Sequence, residues 1–258
     1  MPSRDRDPGA ASGPPPAGRA GAPGGPRRPL GTRAAVALAV AVLAAANVLI
    51  HRWSGLAGVL TSLAACAALL GVLRLAGGTR ADAGLAPGTL ARGARWALAL
   101  TGLVALVYLA GALLPATRGL FEDRRYAGMD GADVALRVLV YVPLGTVLLE
   151  ETAFRGVLYG LVARVRGPRW ASAVSSLLFG LWHVLPSLGL ATDKPALTTV
   201  FGGSPAGAAL AVAAAVLFTA AAGAVLCALR RRSGSLLAPM GLHWAVNGLG
   251  YAVGYLLR

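Results

Sequence analysis

Residues 133–163 read DVALRVLVYVPLGTVLLEETAFRGVLYGLVA, an apolar run long enough to cross a bilayer. Within it stand two adjacent carboxylates, Glu150 and Glu151, with Arg155 close behind. An ionisable side chain at membrane depth costs a few kcal/mol at least, so such groups face a protein interior or a wet cavity and mark function. Later apolar segments add His183, His243 and Asn247. Acid, base and metal-capable groups held among lipid-soluble helices point to chemistry, and first to hydrolysis.

The rest of the chain extends this reading. Of its 258 residues, 56% are hydrophobic and only 13% charged, a balance that reads as membrane spans rather than a soluble core. The net charge of +14 is not gathered on one domain but falls in short clusters between apolar segments. It therefore reports topology, and nucleic acid is not expected as a partner. Cys66 and Cys227 lie inside apolar segments without CxxC spacing and read as packing residues. Residues 1–33, rich in Pro, Gly and Arg, are expected to form a disordered basic tail before an uncleaved first helix.

Seven apolar segments follow, at about 34–50, 54–76, 95–114, 133–163, 169–187, 206–229 and 235–257. The fourth is long enough to tilt or to bend at Pro143. The stretch 187–205 reads as a loop or a short re-entrant segment. Arg74, Arg80, Arg92, Arg95, Arg164, Arg166, Arg169 and Arg230 to Arg232 fall on the side of the tail, which predicts a cytoplasmic N-terminus. Arg52, Arg118, Arg124, Arg125, Lys194 and Arg258 fall opposite. The expected fold class is all-α, a polytopic bundle of about seven spans in the plasma (inner) membrane. Helices in 34–131 are accessory, and 132–258 forms the core.

Spacing suggests a common depth for the polar groups. Glu150 lies fourteen residues before Arg164, and His183 fourteen after Arg169. At ~1.5 Å per residue both sit ~20 Å from their basic anchors, while His243 and Asn247 sit ~16 and ~22 Å past Arg232. Glu151 and Arg155, four apart, share a helix face and can pair. Glu150 points about 100° away and is left to act as a general base. His243 and Asn247 form another four-residue pair that could bind a metal, a water or a developing oxyanion. No His-Glu-x-x-His signature is present. Two alternatives stay open: a three-ligand zinc site from His183, His243 and a carboxylate, or metal-free activation of water by Glu150 and His183. Asp133 with Arg137 reads as an interfacial pair, His51 as a solvated loop residue, and Trp182 and Trp244 as packing. Gly156, Gly160 and Gly180 read as helix contacts.

Three ordered motifs carry a family resemblance. Glu-Glu-x-x-Phe-Arg-Gly (150–156), Phe-x-x-x-His (179–183) and Gly-Ser-Leu-x-x-Pro-Met-x-x-His-x-x-x-Asn (234–247) are all complete. They resemble the motifs of the CPBP intramembrane proteases, the CAAX-processing and bacteriocin-processing or Abi family, related to the type II CAAX prenyl endopeptidase. The resemblance covers roughly 132–257. It implies an intramembrane endopeptidase in which Glu150 and His183 activate water, Glu151 and Arg155 support them, and His243 with Asn247 forms the oxyanion site. Family members are widely labelled metalloproteases, and zinc is the cofactor to consider. The implied partners are a membrane-associated protein or peptide substrate and the lipid bilayer. A non-catalytic immunity or scaffold protein of the same fold is the rival reading. A proton-coupled transporter ranks behind it, because the chain shows no internal repeat.

Overall fold

The computed structural model describes residues 29–53, 55–123 and 128–258. The expected tail falls almost wholly outside the described residues, as do Arg124 and Arg125. The described residues form helices and connecting turns without a strand. Helix α1 is Thr32–Arg52, α2 is Leu56–Leu75 and α3 is Leu90–Leu113. A 52-residue tract, Gly131–Trp182, follows; Pro205–Ser233 is α6, and Leu237–Trp244 opens α7 (237–256). Five helical tracts among the described residues are long and apolar enough to cross a membrane: Thr32–Arg52, Leu56–Leu75, Pro87–Leu113, Gly131–Trp182 and Pro205–Ser233.

The 52-residue tract is broken at Gly167, with φ 81° and ψ 172°, into α4 (131–166) and α5 (168–182). That backbone region is open to glycine almost alone, and Pro168 then starts the second arm with a preset φ. The arms turn back on each other. Ser175 Oγ donates to the Phe154 carbonyl at 2.7 Å, and the Phe154 and Phe179 rings meet edge to face at 5.2 Å. Wide π-type turns occupy Arg137–Val147, around Pro143, and Glu151–Leu158 in α4. A further one spans Ala245–Leu249 in α7. Such turns are rare and concentrate at functional sites.

Leu43, Ala46, Leu69, Leu149, Phe154, Val157, Phe179 and Trp182 join α1, α2, α4 and α5 in one buried core. Helix α6 comes so close to α5 that a Cβ on Gly180 would meet the Val216 carbonyl at 2.7 Å. Outward faces stay apolar: Leu98, Leu103 and Leu106 on α3 and Leu217 and Phe218 on α6 are all more than half exposed.

Long-range bonds sort the connections into two ends. At one, Arg164 reaches the Ala76 carbonyl at 3.0 Å, Arg230 the Ala81 and Asp82 carbonyls at 3.0 and 3.1 Å, and Arg92 the Ser233 carbonyl at 2.6 Å. At the other, Lys194 pairs with Asp123 at 3.0 Å and Arg258 donates to the Met129 carbonyl.

Several expectations need correction. The helix expected over 169–187 is interrupted at His183, the C-cap of the arm that ends at Trp182, and resumes as the short helix Val184–Ser187. The stretch after it carries the short helices Leu190–Asp193 and Pro195–Phe201. Asp133 closes a capping box with Asp130, and Arg137 lies 5.9 Å over the Tyr251 ring, so the expected Asp133–Arg137 pair gives way to helix capping. His51 is exposed as expected but sits in the last turn of α1, bonded to the Asn47 carbonyl at 2.7 Å.

Candidate active site

Helix α4 brings Glu150, Glu151 and Arg155 into the bundle interior, where all three are buried. The expected i,i+4 pair forms: Arg155 Nη1 donates to Glu151 Oε1 at 3.0 Å with both side chains 0% exposed. The remaining Nε and Nη2 groups of Arg155 find no hydrogen-bond acceptor, but its guanidinium carbon lies 3.9 Å from the centroid of the Phe179 ring. That ring face supplies electrostatic stabilisation that a hydrogen bond would otherwise provide.

The same Glu151 Oε1 also bonds His243 Nδ1 at 2.8 Å. An oxygen already accepting from a guanidinium belongs to an ionised carboxylate, so His243 Nδ1 carries the proton. Its Nε2 then faces Glu150 Oε2 at 3.7 Å. His183 is oriented by the same logic from another direction. Its Nδ1 lies 2.8 Å from the Phe179 carbonyl, which can only accept, so Nδ1 is again the protonated nitrogen. Its Nε2 faces Glu150 Oε2 at 4.0 Å.

Glu150 itself is held at one oxygen and open at the other. The Trp182 indole N–H donates to Oε1 at 2.9 Å, while Oε2 is buried without a hydrogen-bond partner. In their neutral forms the two imidazoles therefore turn lone pairs toward the open carboxylate oxygen. Both gaps exceed hydrogen-bond length, so neither imidazole is bonded directly to Oε2.

Carboxylate and imidazole donors braced from behind are chemically suited to a divalent metal. Among the described residues, however, no three His, Cys, Asp or Glu side chains are grouped closely enough to hold an ion. The residues as placed do not fit the zinc site considered from sequence.

Of the six residues expected at the site, Glu150, Glu151, Arg155, His183 and His243 come together. Asn247 lies one turn beyond His243, half-buried in the wide turn of α7, and no hydrogen bond among the described residues ties it to the cluster. Sequence reasoning missed Trp182 as the ligand of Glu150. It also missed Asn47, whose Nδ2 donates to the Trp182 carbonyl at 3.1 Å. Asn47 had a readable signal, as the first strongly polar side chain of α1 after Arg33. Trp182 had only its place beside His183.

The fold and site thus define an integral membrane protein, by helix length and composition, with a buried carboxylate–imidazole cluster inside its bundle. Residues 132–249 match the family model described as Type II CAAX prenyl endopeptidase Rce1-like. No curated protein and no solved structure matches the chain.

Proposed function

We propose that this chain is an intramembrane endopeptidase that hydrolyses a peptide bond in a membrane-associated protein or peptide. The observation that carries the reading is the open Glu150 Oε2, facing two imidazole Nε2 atoms whose Nδ1 atoms are both anchored. A water held there loses a proton to Glu150 as its oxygen attacks the scissile carbonyl. The tetrahedral oxyanion needs donors, and Asn247 Nδ2 is one. His243 can be another only as the imidazolium, because its Nδ1–H is spent on Glu151. Ionised Glu151 stabilises that cation. Collapse breaks the C–N bond, and the proton passes from Glu150 to the leaving amine, with His183 beside the path. The products are a new carboxylate and a new amine.

The same proposal places the chain in the plasma (inner) membrane with a cytoplasmic N-terminus. It counts seven crossings: the two arms of the 52-residue tract and α7 each count as one. Grouping of the connections into two ends supports that count. The test compares protein termini in host membranes carrying wild type or Glu150→Gln at matched abundance. The glutamine keeps the shape and an acceptor for Trp182 but removes the base. Termini that vanish in the variant would support proteolysis and name candidate substrates. Unchanged cleavage by Glu150→Gln would overturn it, and identical sets without any cleavage would favour the immunity or scaffold reading.

A further inference from the structure

We infer that Trp182 and Asn47 are positioning residues for Glu150, so that α1, which lies outside the matched segment 132–249, belongs to the frame of the site. The kinetic half of this inference rests on the proteolytic reading above; the geometric half does not.

Helix α5 stops at Trp182, which leaves the carbonyls of its last turn in need of donors. Three of them are met by groups that bear on the site. The Gly180 carbonyl accepts the His183 backbone N–H at 3.0 Å, and the Phe179 carbonyl accepts His183 Nδ1 at 2.8 Å. The Trp182 carbonyl accepts Asn47 Nδ2 at 3.1 Å, from a residue 135 positions away in sequence. Asn47 is buried beside Leu43 and Ala46, and an amide in such surroundings is costly unless bonded. The backbone of the residue next to His183 is thereby tied to α1.

The side chain of Trp182 completes the connection. An indole has one N–H and no acceptor, so its bond to Glu150 Oε1 selects which carboxylate oxygen is engaged and which is free. The Phe154 ring, edge to face at 5.9 Å, fixes the plane of the indole. With Oε1 pinned, Oε2 is turned toward His183 Nε2 and His243 Nε2. Without the indole the carboxylate is free to rotate about its terminal torsion, and the base no longer has one orientation. Neither Trp182 nor Asn47 needs to touch substrate for this. They act through Glu150.

The test uses the full chain in lipid nanodiscs with indole-¹⁵N tryptophan, the Trp182 resonance being assigned by its loss in Trp182→Phe. Glu150→Gln is expected to shift that indole resonance, and Asn47→Leu to shift or broaden it, with the other tryptophans unmoved. On a peptide spanning a Glu150-dependent terminus, Trp182→Phe should lower kcat about tenfold or more while KM stays within about twofold. Asn47→Leu should lower kcat less, by about threefold, and Asn47→Gln, which keeps the donor, should recover part of that loss. A Trp182 resonance indifferent to Glu150→Gln overturns the inference. So does an unchanged kcat in Trp182→Phe, or equal kcat in the two Asn47 variants. If no Glu150-dependent terminus exists, the proteolytic reading fails, and the resonance shifts still decide whether Trp182 and Asn47 hold Glu150.

Discussion

Glu150 and Glu151 are sequence neighbours with opposite fates. Each keeps one buried oxygen without a hydrogen-bond partner, but Glu151 Oε1 is tied to Arg155 and His243, while the open Oε2 of Glu150 faces the Nε2 atoms of His183 and His243. Removing Arg155 strands Glu151 as an uncompensated buried charge, a loss of about 3–5 kcal/mol. Arg155→Ala is therefore expected to lower both abundance and melting temperature as well as activity, read by immunoblot and thermal unfolding in detergent. Arg155→Lys should fall between, because an ammonium keeps the charge but cannot lay a flat cation over Phe179. Glu150→Gln should leave abundance and melting temperature near wild type while abolishing cleavage, since a buried carboxylate with an open oxygen contributes little to stability. The pairing of Glu151 with Arg155 was legible from their spacing of four. The grip of Glu151 on His243 was not, because no rule of spacing links residues on distant helices.

At the scale of elements, the shapes of α4 and α5 decide which groups meet. Gly167 adopts a backbone conformation that a Cβ opposes, so Gly167→Ala is expected to cost about 1–3 kcal/mol. Thermal unfolding of the purified variant measures this. Gly180→Val tests a different constraint, since its side chain would press into α6 at the Val216 carbonyl and Ala220. It should lower the melting temperature and slow cleavage, because Phe179, Trp182 and His183 follow the displaced helix. Sequence located both arms because their apolar runs are long and the basic residues Arg164, Arg166 and Arg169 separate them. It overran the end of α5 because Val184 and Leu185 continue the apolar run and the proline, Pro186, comes four residues after Trp182. The wide turns were equally hidden, since an extra residue per turn leaves no compositional trace in a helix.

For the whole molecule, arginine-rich connections gather at one end and the Asp123–Lys194 pair marks the other. Both native thiols, Cys66 and Cys227, are buried, so introduced cysteines can report sidedness alone. A membrane-impermeant thiol reagent is expected to label Gly203→Cys in intact cells, and Arg80→Cys only after permeabilisation. Labelling in the reverse pattern would invert the proposed orientation, and labelling of both in intact cells would break the seven-crossing count. The seven apolar segments and their basic flanks are what the sequence offers toward this proposed arrangement. The tie between α1 and the site was not readable, because a lone asparagine shows that a partner is needed without showing which one.

The hairpin of α4 and α5 also has a consequence for biosynthesis. Trp182 and Glu150 are only 32 residues apart in sequence, and Arg155 and Glu151 only four. A nascent chain that has emerged just past His183 already contains every partner these two carboxylates need to enter lipid, apart from His243. The hairpin thus carries the cation for Glu151 and a hydrogen-bond donor for Glu150 in sequence before α6 and α7. His243 arrives last, docking onto a Glu151 that Arg155 already holds in place. The order of synthesis runs from the most expensive burial to the completed site.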